Sequence, residues 1–231
     1  MKRIVLMALS VILALTLAMP VAFGQVGQGT KASGATGELV TAWWQWALSK
    51  PVEDNPLFGG DPNYSDEQCD GQPLTDTVDN QWFLAGTLDG KAVERTCTMP
   101  ADTHLFFPVF NVAVFPDPDE TEEDVLAQAR EFIDSVLNDR ELSMAVTVDG
   151  KEVQNKDIVR AEAPLFTGKS PLLRPRPYQA VADGLWVTLP PLSEGEHTIH
   201  WEISAPNADS DRDTPGIEGF FQNNTYHLTV E

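Results

Sequence analysis

Leu-Phe-Phe-Pro-Val-Phe-Asn-Val-Ala-Val-Phe, residues 105–115, is the most apolar stretch outside the N-terminal segment, and it decides the fold. It is rich in Phe and Val, which favour a pleated, buried surface. Because it is apolar at nearly every position, it predicts a strand covered on both faces. Pro108 has no N–H to donate to a neighbouring strand, so it predicts a bulge or a break in the pairing.

Short β-rich segments surround this stretch and predict further strands. We assign them to residues 81–87, 93–99, 142–148, 151–153, 158–166, 184–189, 196–203 and 225–230. Turn sequences such as Asp89-Gly90 and Asp149-Gly150 predict hairpins between 81–87 and 93–99 and between 142–148 and 151–153. The segment Pro190–Gly195 predicts a third hairpin. The sequence therefore predicts a mainly β protein, an antiparallel β-sandwich of immunoglobulin-like or jelly-roll type.

Two segments have the apolar period of an α-helix instead. Residues 38–49 follow Thr36, which can cap the first turn. Residues 121–138 begin with Thr121 as the cap and Asp124 three positions later, a form of the capping box. We therefore expect one helix packed on the sheet and a second helix inserted between strands.

The N-terminus has the pattern of a secretory signal peptide. Lys2 and Arg3 precede an apolar run at 4–18, and small residues follow up to Gly24. This run is too short for a spanning helix, and we expect no membrane insertion. The sequence predicts a signal peptide over 1–24 and a secreted or periplasmic protein.

The rest of the chain divides into a leader and one domain. Residues 25–37 are mostly Gly, Ser, Thr and Ala, which predicts a flexible leader. Residues 38–231 have the length of a single sandwich domain, with the helical insertion near 121–138. Cys69 and Cys97 are the only cysteines, and in an oxidising compartment they predict one disulfide bond.

The net charge is −20. A strongly acidic chain lacks the basic surfaces that nucleic acids and anionic membranes require, so we expect neither as a partner.

Several motifs resemble those of a group of exported bacterial proteins of unknown function. They are Trp-Trp-x-Trp-Ala-Leu-Ser at 43–49, Asn-Pro at 55–56, Cys69, Trp-Phe-Leu-Ala-Gly-Thr at 82–87, Arg-x-Cys-Thr-Met-Pro-Ala at 95–101, Leu-Phe-Phe-Pro-Val-Phe-Asn at 105–111, Gly-Glu-His-Thr-Ile-His at 195–200 and Tyr-His-Leu-Thr-Val at 226–230. The resemblance implies a bacterial, secreted, single-domain protein and no particular activity.

One acidic loop has spacing that suits calcium, which prefers six to eight oxygen ligands. The candidate ligands, at loop positions one, three, five, seven and twelve, are Asn207, Asp209, Asp211, Asp213 and Glu218. Arg212 replaces the usual Gly at position six, and strands rather than helices flank the loop. The alternative interpretation is a solvated acidic loop without metal.

Trp44 lies off the main apolar stripe of its helix, which makes it a candidate for stacking on a sugar. The alternative is that the Trp cluster buries the helix on the sheet. We therefore expect a secreted, non-catalytic binding or structural module for carbohydrate or another cell-surface polymer, with calcium as a hypothesised aid. The alternative is a small secreted hydrolase that uses carboxylates, whose pairing is spatial and leaves no sequence motif.

Overall fold

The structure is a computed structural model that describes residues 35–58, 69–75, 78, 80–173, 177–209 and 218–231, without the side chains of Asp209 and Glu218. The described residues form two α-helices, α1 (Gly37–Ser49) and α2 (Glu122–Leu137), and short 3-10 helices that include Val52–Asp54 and Pro56–Phe58. The strands are β1 (Gln81–Phe83), β2 (Val93–Met99), β3 (His104–Val114), β4 (Ser143–Val148), β5 (Lys151–Glu152), β6 (Ile158–Gly168), β7 (Tyr178–Leu189), β8 (Gly195–Asp209) and β9 (Glu218–Val230).

The strands form two sheets that pack into a sandwich. One sheet has the order β1-β3-β7-β6, and the other has the order β2-β9-β8-β4-β5. Five of the seven neighbouring pairs are antiparallel, whereas β1 runs parallel to β3 and β2 runs parallel to β9. The prediction of a mainly β, mostly antiparallel sandwich with two helices and one disulfide is confirmed.

Strand β3 is an inner strand; residues 105–110 are buried on both faces, as the apolar sequence predicts, whereas residues 111–114 are half-buried. Leu105 and Phe107 belong to the core between the two sheets, while Phe106 belongs to a second core under α1. Pro108 is paired with Trp186 and Phe110 with Leu185, so Val109 is an additional residue on this strand. This is a β-bulge at the predicted position.

Helix α1 packs on the face of the four-stranded sheet that points away from the other sheet. The Thr36 hydroxyl accepts a hydrogen bond from the Leu39 N–H at 3.3 Å, which caps the first turn as predicted. The ring of Trp43 lies 5.4 Å from that of Trp186, centroid to centroid, and the ring of Trp46 lies 5.6 Å from that of Phe83. Helix α1 is thus held by edge-to-face aromatic contacts.

Helix α2 begins with the full capping box. The Thr121 hydroxyl accepts from the Asp124 N–H at 3.3 Å, and the Asp124 carboxylate accepts from the Thr121 N–H at 3.0 Å. Ile133 and Val136 enter the core between the sheets. The carboxylates of the first turn also favour the helix dipole.

Two of the three predicted hairpins are wrong. Strands β1 and β2 lie in different sheets, and so do β7 and β8. The connections at 84–92 and 190–194 carry the chain from one face of the sandwich to the other. The hairpin of β4 and β5 at Asp149-Gly150 is confirmed, since Thr147 pairs with Glu152 and both turn residues have positive φ.

The predicted disulfide is confirmed between Cys69 and Cys97, and it ties the segment before β1 to β2. The predicted signal peptide and most of the leader lie outside the described residues, and α1 begins at Gly37, the last residue of the predicted leader. In the described part of the chain, no helix has the length and apolarity needed to cross a membrane.

Candidate functional site

The predicted calcium loop lies mostly outside the described residues. Asp209 and Glu218 are register partners at the ends of β8 and β9, and Asp211 and Asp213 are not described. The backbone N–H of Asn207 and its side-chain amide donate to the two carboxylate oxygens of Asp139, at 2.7 and 3.0 Å. Asn207 is therefore bonded to Asp139, the residue after the C-cap of α2, and the calcium site stays a prediction.

Trp44 is buried rather than exposed, with 5% of its surface accessible. Its ring lies 5.0 Å from that of Trp43 in an edge-to-face contact. This burial agrees with the packing interpretation of the Trp cluster. Stacking of a whole sugar ring would require the indole face to be uncovered. Trp44 also lines a small cavity.

That cavity has a volume of about 70 Å³ and lies between α1, the bulge of β3 and the five-stranded sheet. Its lining residues are Trp43, Trp44, Leu57, Gly86, Thr87, Leu88, Pro108, Val109, Phe110, Asn111, Trp201, Phe220 and Gln222. A cavity volume of about 10–15 Å³ is enough to hold one water molecule, so several water-sized groups fit in this cavity. Leu88 is 61% exposed, which places the cavity at the protein surface.

Three N–H donors on lining residues have no acceptor within hydrogen-bonding distance among the described residues. They are the indole Nε1 of Trp44, the indole Nε1 of Trp201 and the amide Nδ2 of Asn111, all inaccessible to solvent. By contrast, the indoles of Trp43, Trp46 and Trp186 donate to the carbonyls of Leu84, Asp70 and Ala161. Buried donors are almost always paired in folded proteins, so these three require an explanation.

The walls of the cavity are held in place by a buried cation, Arg95. Its guanidinium donates to the carbonyls of Pro56 and Ala85, both at 2.6 Å, and to the hydroxyl of Tyr226. Those two carbonyls directly precede the lining residues Leu57 and Gly86. Arg95 thus joins two irregular segments to the five-stranded sheet, in which its own strand is an edge.

Gln222 fixes the same wall from the side of β9. Its side-chain oxygen accepts from the Thr87 N–H at 3.2 Å, and its amide donates to the Thr87 carbonyl. A Cβ atom at Gly86 would lie 2.4 Å from that side-chain oxygen, so only glycine permits this approach. Thr87 belongs to neither sheet, so the side-chain amide of Gln222 takes the place of the backbone partner that a neighbouring strand would supply.

The described carboxylates that are most buried face arginines rather than each other. Arg160 donates to Asp183 at 2.6 Å and to Asp134 at 2.6 Å, and Arg130 donates to Glu162 at 2.8 Å. Burial raises the pKa of Asp183, and the hydrogen bonds from Arg160 oppose this effect. The network anchors α2 to β6 and β7, which is a structural role rather than the acid and base of a hydrolase.

Hydrogen bonds connect three side chains in the sequence Ser–His–Asp of a hydrolase triad: Ser193, His197 and Asp149. Nδ1 of His197 lies 2.8 Å from the Asp149 carboxylate, and Nε2 lies 3.2 Å from the Ser193 hydroxyl. However, Nε2 also lies 2.9 Å from the carbonyl oxygen of Ser193, which can only accept. Both ring nitrogens therefore act as donors, and the ring cannot take a proton from Ser193.

The pKa shifts agree with a charged imidazole. The hydrogen bond to Asp149 raises the pKa of His197 above its usual value. The backbone N–H of Thr198, and then His197, lower the pKa of Asp149. We name these three side chains the turn clasp (Asp149, Ser193 and His197), because they join the β4–β5 turn to the turn that precedes β8.

Sequence reasoning reached Trp44 but missed Asn111, Trp201, Gln222 and Arg95. Only Arg95 left a signal, since it falls in the inward-facing row of β2 with Val93, Cys97 and Met99. A cation in an apolar row indicates a buried group that has hydrogen-bond partners inside the fold. The other residues converge through the tertiary fold alone.

No family model matches the chain, and no curated protein matches it. Among solved structures it is similar to the solution structure of amebosin, with a TM-score of 0.22 and 10% identity over 67% of this chain and 100% of that one. A cysteine protease inhibitor of Entamoeba histolytica, EhICP2, has a TM-score of 0.23 and 10% identity over 65% of this chain and 96% of its own. The Plasmodium falciparum protein Pf12p has a TM-score of 0.22 and 10% identity, covering 62% of this chain and 44% of that one. At these TM-scores the likeness carries no argument about function.

Proposed function

We propose that the protein is a secreted or periplasmic, non-catalytic binding module for carbohydrate or another cell-surface polymer. The observation that carries this proposal is the surface cavity described above, which is walled by indole rings and by the side chains of Asn111 and Gln222. Such a cavity favours a ligand that offers both an apolar face and neutral hydrogen-bonding groups. Carbohydrates have this combination. Calcium at the loop of 207–218 stays a hypothesised aid to binding.

The chemistry of the lining supports a neutral ligand. None of the lining residues is ionisable, and the chain carries a net charge of −20. An acidic protein repels polyanions, and carboxamides and indoles are neutral hydrogen-bonding groups. Asp183, which is buried, and Glu162, which is partly buried, are bonded to Arg160 and Arg130, so neither is placed to serve as the acid or base of a carboxylate-dependent hydrolase.

The test is a binding screen on neutral soluble and insoluble polysaccharides with a matched pair of variants. Leu88 and Leu74 are both 61% exposed, but Leu88 lines this cavity and Leu74 does not. We expect Leu88→Asp to weaken binding of the retained polysaccharide at least tenfold, while Leu74→Asp leaves it unchanged. Equal binding by both variants would remove the cavity as the site, and failure of the native protein to bind any polysaccharide would refute the carbohydrate proposal.

A further inference from the structure

The carboxamide atom that a ligand can reach in the cavity is an acceptor, and this restricts which group can fill it. The indole nitrogens of Trp44 and Trp201 and the amide nitrogen of Asn111 are closed to solvent, so no ligand oxygen reaches them. The side chain of Asn111 is half-buried, and its oxygen is neither closed to solvent nor bonded to a described donor. The oxygen of Gln222, by contrast, already accepts two hydrogen bonds of 3.2 Å. A ligand group that bonds to Asn111 must therefore be a donor.

Charge decides between a neutral donor and a cationic one. An ammonium group brings three N–H donors and a positive charge. None of the described lining residues is Asp or Glu, so the cavity has no carboxylate to pair with that charge. The net charge of −20 attracts cations over long distances, but a charge that is partly buried without a partner is unfavourable. A neutral hydroxyl brings one donor, which suits the free oxygen of Asn111.

Size identifies the group that carries the hydroxyl. The cavity of about 70 Å³ takes a group of a few heavy atoms but no complete sugar ring. Trp43, Phe110 and Phe220 supply apolar walls against which a methylene can pack. In an unmodified hexose, the exocyclic hydroxymethyl group extends further from the ring than the ring hydroxyls do, and it consists of a methylene and a hydroxyl. This group therefore matches both the walls and the acceptor.

We infer that the cavity binds the exocyclic hydroxymethyl group of a neutral hexose polymer. This inference rests on the proposed function, since it names the class of carbohydrate. The hydroxyl donates to Oδ1 of Asn111, the methylene packs on the apolar walls, and the sugar ring stays outside, next to the exposed Leu88.

The same geometry excludes two related classes of polymer. Pentose polymers lack the hydroxymethyl group and leave the cavity unfilled. Uronic acid polymers carry a carboxylate in its place, and this carboxylate would face the oxygen of Asn111. None of the described lining residues is Lys, Arg or His, so the carboxylate would have no cation to pair with.

The experiment compares three tetrasaccharides of the same β-1,4 linkage by isothermal titration calorimetry: oligomers of glucose, xylose and glucuronic acid. They differ at the exocyclic position, which holds a hydroxymethyl group, a hydrogen atom or a carboxylate. We expect the glucose oligomer to bind roughly ten- to a hundredfold tighter than the xylose oligomer, which leaves Asn111 unbonded. The glucuronic acid oligomer should bind no tighter than the xylose oligomer. Mannose and galactose oligomers of that linkage then show which hexose supplies the group.

A matched pair of Asn variants tests whether the Asn111 oxygen is used. Asn111→Leu keeps a branched side chain but removes the acceptor, and it should lose most of the preference for the glucose oligomer over the xylose oligomer. It also removes a buried nitrogen that has no described partner, so the fold should tolerate it. Asn155 is exposed and does not line the cavity, so Asn155→Leu should keep the preference. Asn111→Ala serves in the same role if Asn111→Leu does not fold.

The outcomes separate this inference from the proposed function. Equal affinity for the glucose and xylose oligomers overturns the inference and leaves the binding module standing. A preference that survives the replacement of Asn111 also overturns it, and so does retention of a polysaccharide when none of the hexose oligomers binds. If no oligosaccharide or polysaccharide binds, the proposed function fails and the inference fails with it.

Discussion

Replacing Arg95 with Met removes the cation that joins the cavity walls to the sheet while keeping an unbranched apolar stem. Arg95 is 4% exposed, and its guanidinium makes two hydrogen bonds of 2.6 Å to carbonyl oxygens and one to the Tyr226 hydroxyl. Hydrogen bonds to a charged group contribute about 1.5–3 kcal/mol each. Burying the charge of Arg95 itself costs several kcal/mol, however, and the Met variant avoids this cost, which offsets part of the lost hydrogen bonding.

The two carbonyl groups respond differently to this loss. The Ala85 carbonyl keeps the Tyr226 hydroxyl as a donor at 2.9 Å, whereas the Pro56 carbonyl loses the guanidinium. An unpaired buried acceptor costs about 1–3 kcal/mol. We therefore expect Arg95→Met to lower the free energy of unfolding by about 3 kcal/mol, within the range for breaking a buried hydrogen-bond network.

Urea unfolding followed by Trp fluorescence measures this change, with the m-value checked for constancy. Arg140→Met is the matched control, since Arg140 is exposed, and its effect should stay within about 0.5 kcal/mol. Hydrogen exchange should also rise at the amides near Leu57 and Gly86. A loss below about 1 kcal/mol for Arg95→Met, or unchanged exchange at those amides, would refute the role that we assign to Arg95.

Two further predictions concern the turn clasp and the disulfide. Because the pKa of His197 is raised, the stability that it contributes is present below about pH 6.5 and is lost as pH rises through its folded pKa. Because the pKa of Asp149 is lowered, the stability that it contributes is present above about pH 4 and is lost as pH falls through its folded pKa. The difference in Tm between the native protein and His197→Gln should thus be largest near pH 5–6 and shrink by pH 9, and a difference independent of pH would contradict the clasp. The disulfide closes a loop with a sequence separation of 28 residues, so the double variant Cys69→Ser/Cys97→Ser should lose about 3.5 kcal/mol of the free energy of unfolding measured in urea. An unchanged free energy of unfolding would show that the bond constrains the unfolded chain little.

Local signals in the sequence predicted the elements that depend on local physics. The caps at Thr36 and Thr121 set the helix starts, and both are made by side chains within three residues. Pro108 predicted the bulge because a missing N–H has the same consequence in any sheet. These features need no information about distant partners.

The pairing of strands depended on distant partners and was predicted less well. The residues at 84–92 contain an Asp-Gly turn, yet they connect two different sheets. Strand β2 instead pairs with β9, more than one hundred positions away, and in the parallel direction. A turn sequence reports local chain reversal but not which sheet the next strand joins. The convergence of Asn111, Trp201 and Gln222 on one cavity was unpredictable for the same reason.

Three departures from ordinary folding rules meet at the cavity. Pro108 interrupts an inner strand, Arg95 places a cation in an apolar row, and Trp44 and Trp201 keep buried donors without acceptors. Each is unfavourable on its own. Unpaired buried polar atoms also occur at Gln81, Tyr178 and Thr188 and a second bulge lies in β6, but only at the cavity do a bulge, a buried cation and unpaired indoles occur together among the described residues. A sequence shaped by stability alone would have no reason to collect such departures in one place. A binding site of the kind that we propose would have that reason, because the bulge forms one wall of the cavity and the cation holds the segments of another.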